Sequence, residues 1–265
     1  MKTYEFFATH PVFSLIEAVD ALNPPGGRSG TVERLKYYLK KGQLKLLSRG
    51  IYAVVPPGVK PQQFQPDPFL TAVAIRPDAV FSHHSALELL GTAHSMWNKF
   101  TLYTEKRRKP LHLESFSILF LRHPKLNNSN LPESLGTQKV ERRGKLLRTT
   151  GPERTLIEGF RRPALAGGIE ELVESVIGFP SLSLSLLEKV LFRYDTAILW
   201  AATGWFLEQY RETFHVKEEY LEKIEARCPR SPQYLERSLR GGWLASRWNL
   251  ILPNTLKRPA EYDER

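Results

Sequence analysis

The sequence predicts an α+β protein: an N-terminal winged helix-turn-helix, then a mixed α/β middle segment, then a mostly helical C-terminal region. Three observations predict it. The first 60 residues carry capping and turn signals in the order helix, turn, helix, hairpin. Residues 61–163 mix short helical patterns with strand-like apolar runs. From Glu153 onward the pattern is mostly helical. The corresponding domains are expected at 1–60, 61–163 and 164–265.

Ser14 and Glu17 form an S-x-x-E capping box, so a helix should start at Ser14 and run through Leu22. Asn23-Pro24-Pro25-Gly26-Gly27 ends it. The preceding MKTYEFFATHP is short and ends in proline, so no full helix is expected before Phe13. A second helix is expected over Thr31–Lys41, with Val32, Leu35 and Leu39 on one face and Gly42 at its C-terminus. Leu44–Leu47 and Ile51–Val55 read as strands, joined by a Ser48-Arg49-Gly50 loop with Gly50 at positive φ.

Residues 56–66 are rich in Pro and Gln and read as a linker. Asp67–Ile75 looks helical, Ala79–Phe81 extended and Ser82–Leu90 helical. Lys99–Tyr103 and Ser117–Leu121 look like strands, and residues 139–150 should pair as strands after a polar loop at 127–136. Helices are expected at about 153–160, 167–177, 183–191, 195–213 and 217–227. The Pro- and Gly-containing tail from Pro229 has no clear period, and no internal repeat is visible.

Composition narrows the function classes. No run of 18 apolar residues occurs, so no membrane helix is expected. The N-terminus lacks the apolar core of a secretory signal. Cys228 is the single cysteine, which rules out an internal disulfide and Cys-rich zinc sites and fits a reducing cytoplasm. The net charge is +10 and unevenly placed. Residues 1–60 hold nine Lys/Arg against four Asp/Glu, and residues 61–163 hold sixteen against nine. Residues 164–265 hold thirteen against fifteen. A basic segment attracts polyphosphate by counterion release.

The expected Thr31–Lys41 helix is the candidate reader of double-stranded DNA. With its apolar stripe buried, Arg34, Tyr37 and Lys41 face outward, with Lys40 toward the edge. Arg28, Ser29 and Thr31 lie at its N-terminus, where backbone N–H groups favour phosphate. Lys45 lies on the hairpin strand and Arg49 at its tip, in reach of backbone or minor groove. The run Lys106, Arg107, Arg108, Lys109 offers secondary phosphate contacts, and Arg142, Arg143, Lys145 and Arg148 form another basic cluster.

Three stretches carry a resemblance. The first is Gly42, Leu44, Arg49, Gly50 and Tyr52, a G-x-L…R-G-x-Y pattern that closes the hairpin. The second is AVFSHHSALELLG, with His83 or His84, Ser85, Ala86, Leu87 and Gly91. The third is Thr150, Glu153, Arg154, Thr155, Leu156 and Glu158, then Arg162-Pro163, then Gly167-Gly168. Together they resemble the AbiEi antitoxin family of abortive-infection systems, and the likeness extends over most of the chain.

The resemblance implies a type IV antitoxin. Such a protein binds inverted repeats in its own promoter, represses transcription, and counters a nucleotidyltransferase-like toxin without a stable complex. The alternative is a stand-alone winged-helix regulator whose C-terminal region binds protein or pairs two copies of the chain. No enzyme motif (H-E-x-x-H, Walker loop or G-x-S-x-G) occurs, and no enzyme activity, cofactor or metal is expected. His83, His84, Glu88 and His94 are metal-ligand types, but the resemblance makes the histidine a capping or packing residue. Glu153 and Arg154 read as a structural ion pair, Gly167-Gly168 as a helix boundary, and Trp200, Trp205, Trp243 and Trp248 as core.

Overall fold

The computed structural model describes residues 2–23, 25–106, 108–124, 132–236 and 241–256. It is α+β, with two compact units built from interleaved segments. The first unit comprises residues 1–79, 98–122 and 141–147; the second comprises 80–97, 123–140 and 148–265. Residues 61–163 therefore contribute to both units and do not form one of their own.

The first unit opens with α1 (Thr3–Thr9), β1 (Val12–Ser14) and α2 (Leu15–Leu22). The stretch before Phe13, where the sequence predicts no full helix, forms the seven-residue helix α1. A seven-residue helix has little stability of its own, but Phe6 is fully buried and meets Phe13 edge-on at 4.9 Å. Phe7 packs edge-on to Tyr38 at 5.0 Å. Helix α2 is capped as its sequence dictates: Ser14 Oγ accepts Glu17 N at 3.2 Å, and Ser14 N donates to Glu17 Oε2 at 2.7 Å.

Helix α3 (Gly27–Lys40) starts four residues earlier than its apolar spacing suggests. Gly26, at φ +86°, turns the chain into it without a Cβ penalty. Its fully buried positions are Thr31 and Leu35 rather than the expected Val32, Leu35 and Leu39 stripe. Burying Thr31 is tolerable because its hydroxyl donates to Gly27 O at 3.1 Å.

Strands β2 (Leu44–Ser48) and β3 (Ile51–Val54) follow, in a three-stranded antiparallel sheet of order β1-β3-β2. Ser48 pairs with Ile51, so the loop is the two residues Arg49 and Gly50 rather than three, and an irregularity lies between Leu46 and Ser48. Phe6, Phe13, Ala18, Leu22, Leu35, Leu44 and Tyr52 form the core beneath.

Helix α4 (Pro68–Ile75) is capped by Asp67, which accepts Phe69 N and Leu70 N at 2.9 and 3.0 Å. It packs on β1 and β3, and nearly every position is buried. The chain then enters the second unit with β4 (Val80–Phe81) and α5 (His84–Leu89), and returns to the first with β5 (Lys99–Thr104), β6 (Leu111–His112) and β7 (Ser117–Arg122). Their order is β6-β7-β5, with β5 and β7 parallel in register from Lys99↔Ser117 to Thr104↔Arg122. The hairpin β8 (Thr137–Arg142) and β9 (Lys145–Thr150) puts its tip in the first unit and its base in the second, where β9 lies between β4 and β8.

The second unit is otherwise helical: α6 (Pro152–Arg161), α7 (Pro163–Ala166), α8 (Ile169–Ile177), α9 (Leu184–Tyr194), α10 (Ala197–Gln209) and α11 (Glu218–Glu225). Gly167 ends α7 and Gly168 caps α8, as the glycine pair suggests. The tail, left without a period in the sequence, forms β10 (Gln233–Tyr234), β11 (Trp243–Ala245) and β12 (Leu250–Leu252), in the order β10-β12-β11. Trp200, Trp205, Trp243 and Trp248 are all buried in one core with the helices. Trp248 lies so close to α10 that a Cβ on Gly204 would stand 2.2 Å from its ring.

Candidate nucleic-acid interface

Helix α3 brings together one group of the expected DNA contacts and withdraws another. Arg28 and Ser29 lie in its first turn, not before it, and both are exposed. Lys40 is exposed, and Lys41, at the C-cap, is exposed with its ammonium 5.8 Å from the Tyr37 ring centroid. Tyr37 itself is 56% exposed. Arg49 is exposed at the β2–β3 turn.

Thr31 does not belong to this group. It is fully buried and its hydroxyl is bonded within the helix, so the expectation that it touches phosphate is corrected. Arg34 is half-buried, its Nη1 3.5 Å from Thr3 Oγ1 on α1. Lys45 is half-buried too, and its Nζ donates to Phe64 O at 2.9 Å, tying the hairpin to the segment read as a linker. Both cations have structural partners that spacing could not reveal, because those partners come from other stretches of the chain.

The secondary run is placed in part. Lys106, Arg108 and Lys109 are exposed, and Arg107 lies outside the described residues. The Arg108 guanidinium sits 5.7 Å from the Phe120 ring centroid, in a groove lined by Arg108–Pro110 and Leu119–Arg122. Sequence reasoning left out Lys36. It is exposed on α3, but Glu33 Oε1 holds its Nζ at 2.7 Å.

The second unit uses its polar residues differently. His83 is fully buried at φ +53°, and burial pushes its imidazole down to about 4. His84 stacks on Trp97 at 5.0 Å, and its Nε2 lies 3.2 Å from Glu171 Oε1. The same carboxylate oxygen accepts the backbone N–H groups of His94 and Ser95 at 3.1 and 3.0 Å. Among the described residues, no three His, Cys, Asp or Glu side chains are grouped to hold a metal ion. Glu153 and Arg154 do not pair with each other, contrary to the expected ion pair. Arg154 Nε donates to Glu158 Oε1 at 2.8 Å, and Glu153 Oε1 accepts Ser183 N at 2.7 Å. One helical turn separates Arg154 from Glu158, so they share a face that adjacent residues cannot.

Among the described residues no helix is long and apolar enough to cross a membrane. No protein-family model matches the chain, and no curated protein matches it. Among solved structures, the RV2827C protein from Mycobacterium tuberculosis has a similar fold, with a TM-score of 0.63 at 17% identity. The match covers 94% of this chain and 88% of that one, so the likeness is one of the whole fold rather than of a single unit.

Proposed function

We propose that the chain is a DNA-binding transcriptional repressor, its first 60 residues acting as a winged helix-turn-helix with α3 in the major groove and the β2–β3 turn as wing. One observation carries the reading: α3 leaves Arg28, Tyr37, Lys40 and Lys41 in solvent, with Arg49 exposed at the tip of the hairpin that follows it. Such a helix suits a groove about 12 Å wide, and its cations offset phosphate charge. The order α1-β1-α2-α3-β2-β3, with β3 between β1 and β2, suits the same role.

The antitoxin role rests on the AbiEi resemblance. In that reading the chain represses its own promoter and counters a nucleotidyltransferase-like toxin encoded beside it, working in the cytoplasm and without enzymatic activity of its own.

The test is a mobility shift of the full chain on duplex DNA from upstream of its own gene, against a scrambled duplex of equal length. Preferential binding is expected, and Lys41→Ala should weaken it several-fold and lower the salt slope by about one. Equal, salt-insensitive behaviour toward both duplexes would overturn the DNA reading. Growth arrest by the neighbouring gene product that co-expression of this chain fails to relieve would overturn the antitoxin reading alone.

A further inference from the structure

Two hairpin turns of the first unit meet the same turn of α2. At the first, Leu15 N donates to Gly50 O at 2.7 Å, which seats the Arg49–Gly50 turn against the start of the helix. Two residues on, Glu17 Oε1 accepts Lys145 Nζ at 3.1 Å from the β8–β9 hairpin. The other oxygen of Glu17 is held by Ser14 N. Burial raises the Glu17 carboxyl, but the Ser14 N–H and the Lys145 ammonium outweigh it and hold the group below its ordinary value. The carboxylate stays charged at neutral pH and the strut stays closed.

A second strut fixes the other arm of the hairpin. Arg142 Nε donates to Asp67 Oδ2 at 2.9 Å, and its guanidinium lies 4.4 Å from the Phe69 ring centroid. Between the struts, Arg143 and Gly144 have φ of +49° and +80°, the pattern of a two-residue type I′ turn. Gly144 N is closed onto Glu141 Oε1 at 2.5 Å. Arg143 is held more loosely: its Nε forms an ion pair at 3.7 Å with the Asp67 oxygen that Arg142 already binds, too far for a hydrogen bond, and its side chain is 68% exposed. Asn or Gly would take positive φ with less strain, so an arginine here has a use for its side chain; the loose Asp67 pair is one, and it leaves most of the guanidinium in solvent.

Each hairpin thus ends on one exposed arginine, Arg49 or Arg143, and both are braced on the first turn of α2. We propose that the β8–β9 turn is a second wing, in which Arg143 contacts a backbone phosphodiester of duplex DNA beside the one met through Arg49. This inference rests on the DNA-binding reading above. It adds a contact supplied from almost a hundred residues further along the chain, within the same unit. The contact positions the protein and reads no base.

The experiment is a salt titration of full-chain binding to the promoter duplex and to the scrambled one. Arg143→Ala should lower the salt slope by about one and weaken binding to both duplexes alike. Arg143→Lys should restore the slope, since it keeps the charge. Arg230→Ala, an exposed cation of the second unit, should leave the slope unchanged. Circular dichroism identical to the parent chain keeps the comparison valid. A slope unchanged in Arg143→Ala, with Lys41→Ala still impaired, overturns the second wing and leaves the repressor reading standing. A parent chain that binds neither duplex overturns both.

Discussion

Some arginines of the first unit and some of the second are used in opposite ways. On α3 and the β2–β3 turn, Arg28 and Arg49 stand in solvent, and Arg143 is exposed with only a loose pair to Asp67. In the second unit, Arg154 and Arg193 are 1% exposed. Arg154 binds Glu158 Oε1 and the backbone carbonyls of Glu133 and Leu135, and Arg193 binds Pro132 O. Tyr194 donates to the same Glu158 oxygen. Arg247 joins three carboxylates, Glu208, Glu218 and Glu225, at 2.6–2.9 Å. Net charge therefore says little until it is known which cations are already paired. Of these committed arginines, Arg154 lies in the strongly basic middle stretch of the sequence, and Arg193 and Arg247 in the almost neutral last third.

The contrast breaks most visibly at Arg154. Arg154→Ala leaves buried Glu158 without its arginine partner and frees two carbonyls, and should cost about 3–5 kcal/mol in urea unfolding. Lys41→Ala, by comparison, should stay within about 0.5 kcal/mol of the parent while impairing DNA binding. Equal stability losses in the two variants would erase the distinction between the units.

The pH dependence of stability sharpens the same point. His83 titrates near 4 when folded against about 6.5 when unfolded. Between those values the unfolded chain binds the extra proton, so stability falls as pH falls from about 6.5 toward 4. The loss should reach on the order of 3 kcal/mol from this residue. His83→Asn should flatten the slope of unfolding free energy over that window; an unaltered slope would remove His83 as its source.

A Cβ at Gly204 meets Trp248 at 2.2 Å, so Gly204→Ala should cost about 1–3 kcal/mol, seen as a lower thermal midpoint. At the small end, Lys36→Ala removes an ion pair whose side chains are 64% and 72% exposed. Its effect should be no more than a few tenths of a kcal/mol. A larger effect would mean that the exposed charges of α3 also hold the fold.

Local signals were legible and distant partners were not. The Ser14–Glu17 capping box announced α2, and Gly50 announced the β2–β3 turn, because each is complete within a few residues. Helix α1 was hidden because its reason to exist is Phe6 against Phe13 and Phe7 against Tyr38. The start of α3 was set by Gly26 rather than by apolar spacing. Strands of two or three residues in the tail are too short to show alternation. In the candidate interface, Tyr37, Lys40, Lys41 and Arg49 lie on the surface as their positions suggested. Arg34 and Lys45 were drawn inward by Thr3 and Phe64, and Thr31 by a one-residue rotation of the buried stripe. Arg143 stood in a recognised basic cluster, but only the struts at Glu17 and Asp67 distinguish it from its neighbours.

Helix α4 has a consequence for anyone cutting the gene. Because it lies on β1 and β3, a fragment that stops at residue 60 would lay bare an apolar surface and lose the Phe64 oxygen that anchors Lys45. Such a truncation should tend to aggregate, and a negative result with it would say nothing about the parent molecule. Transplanting the head of this protein onto another means carrying its later strands along with it.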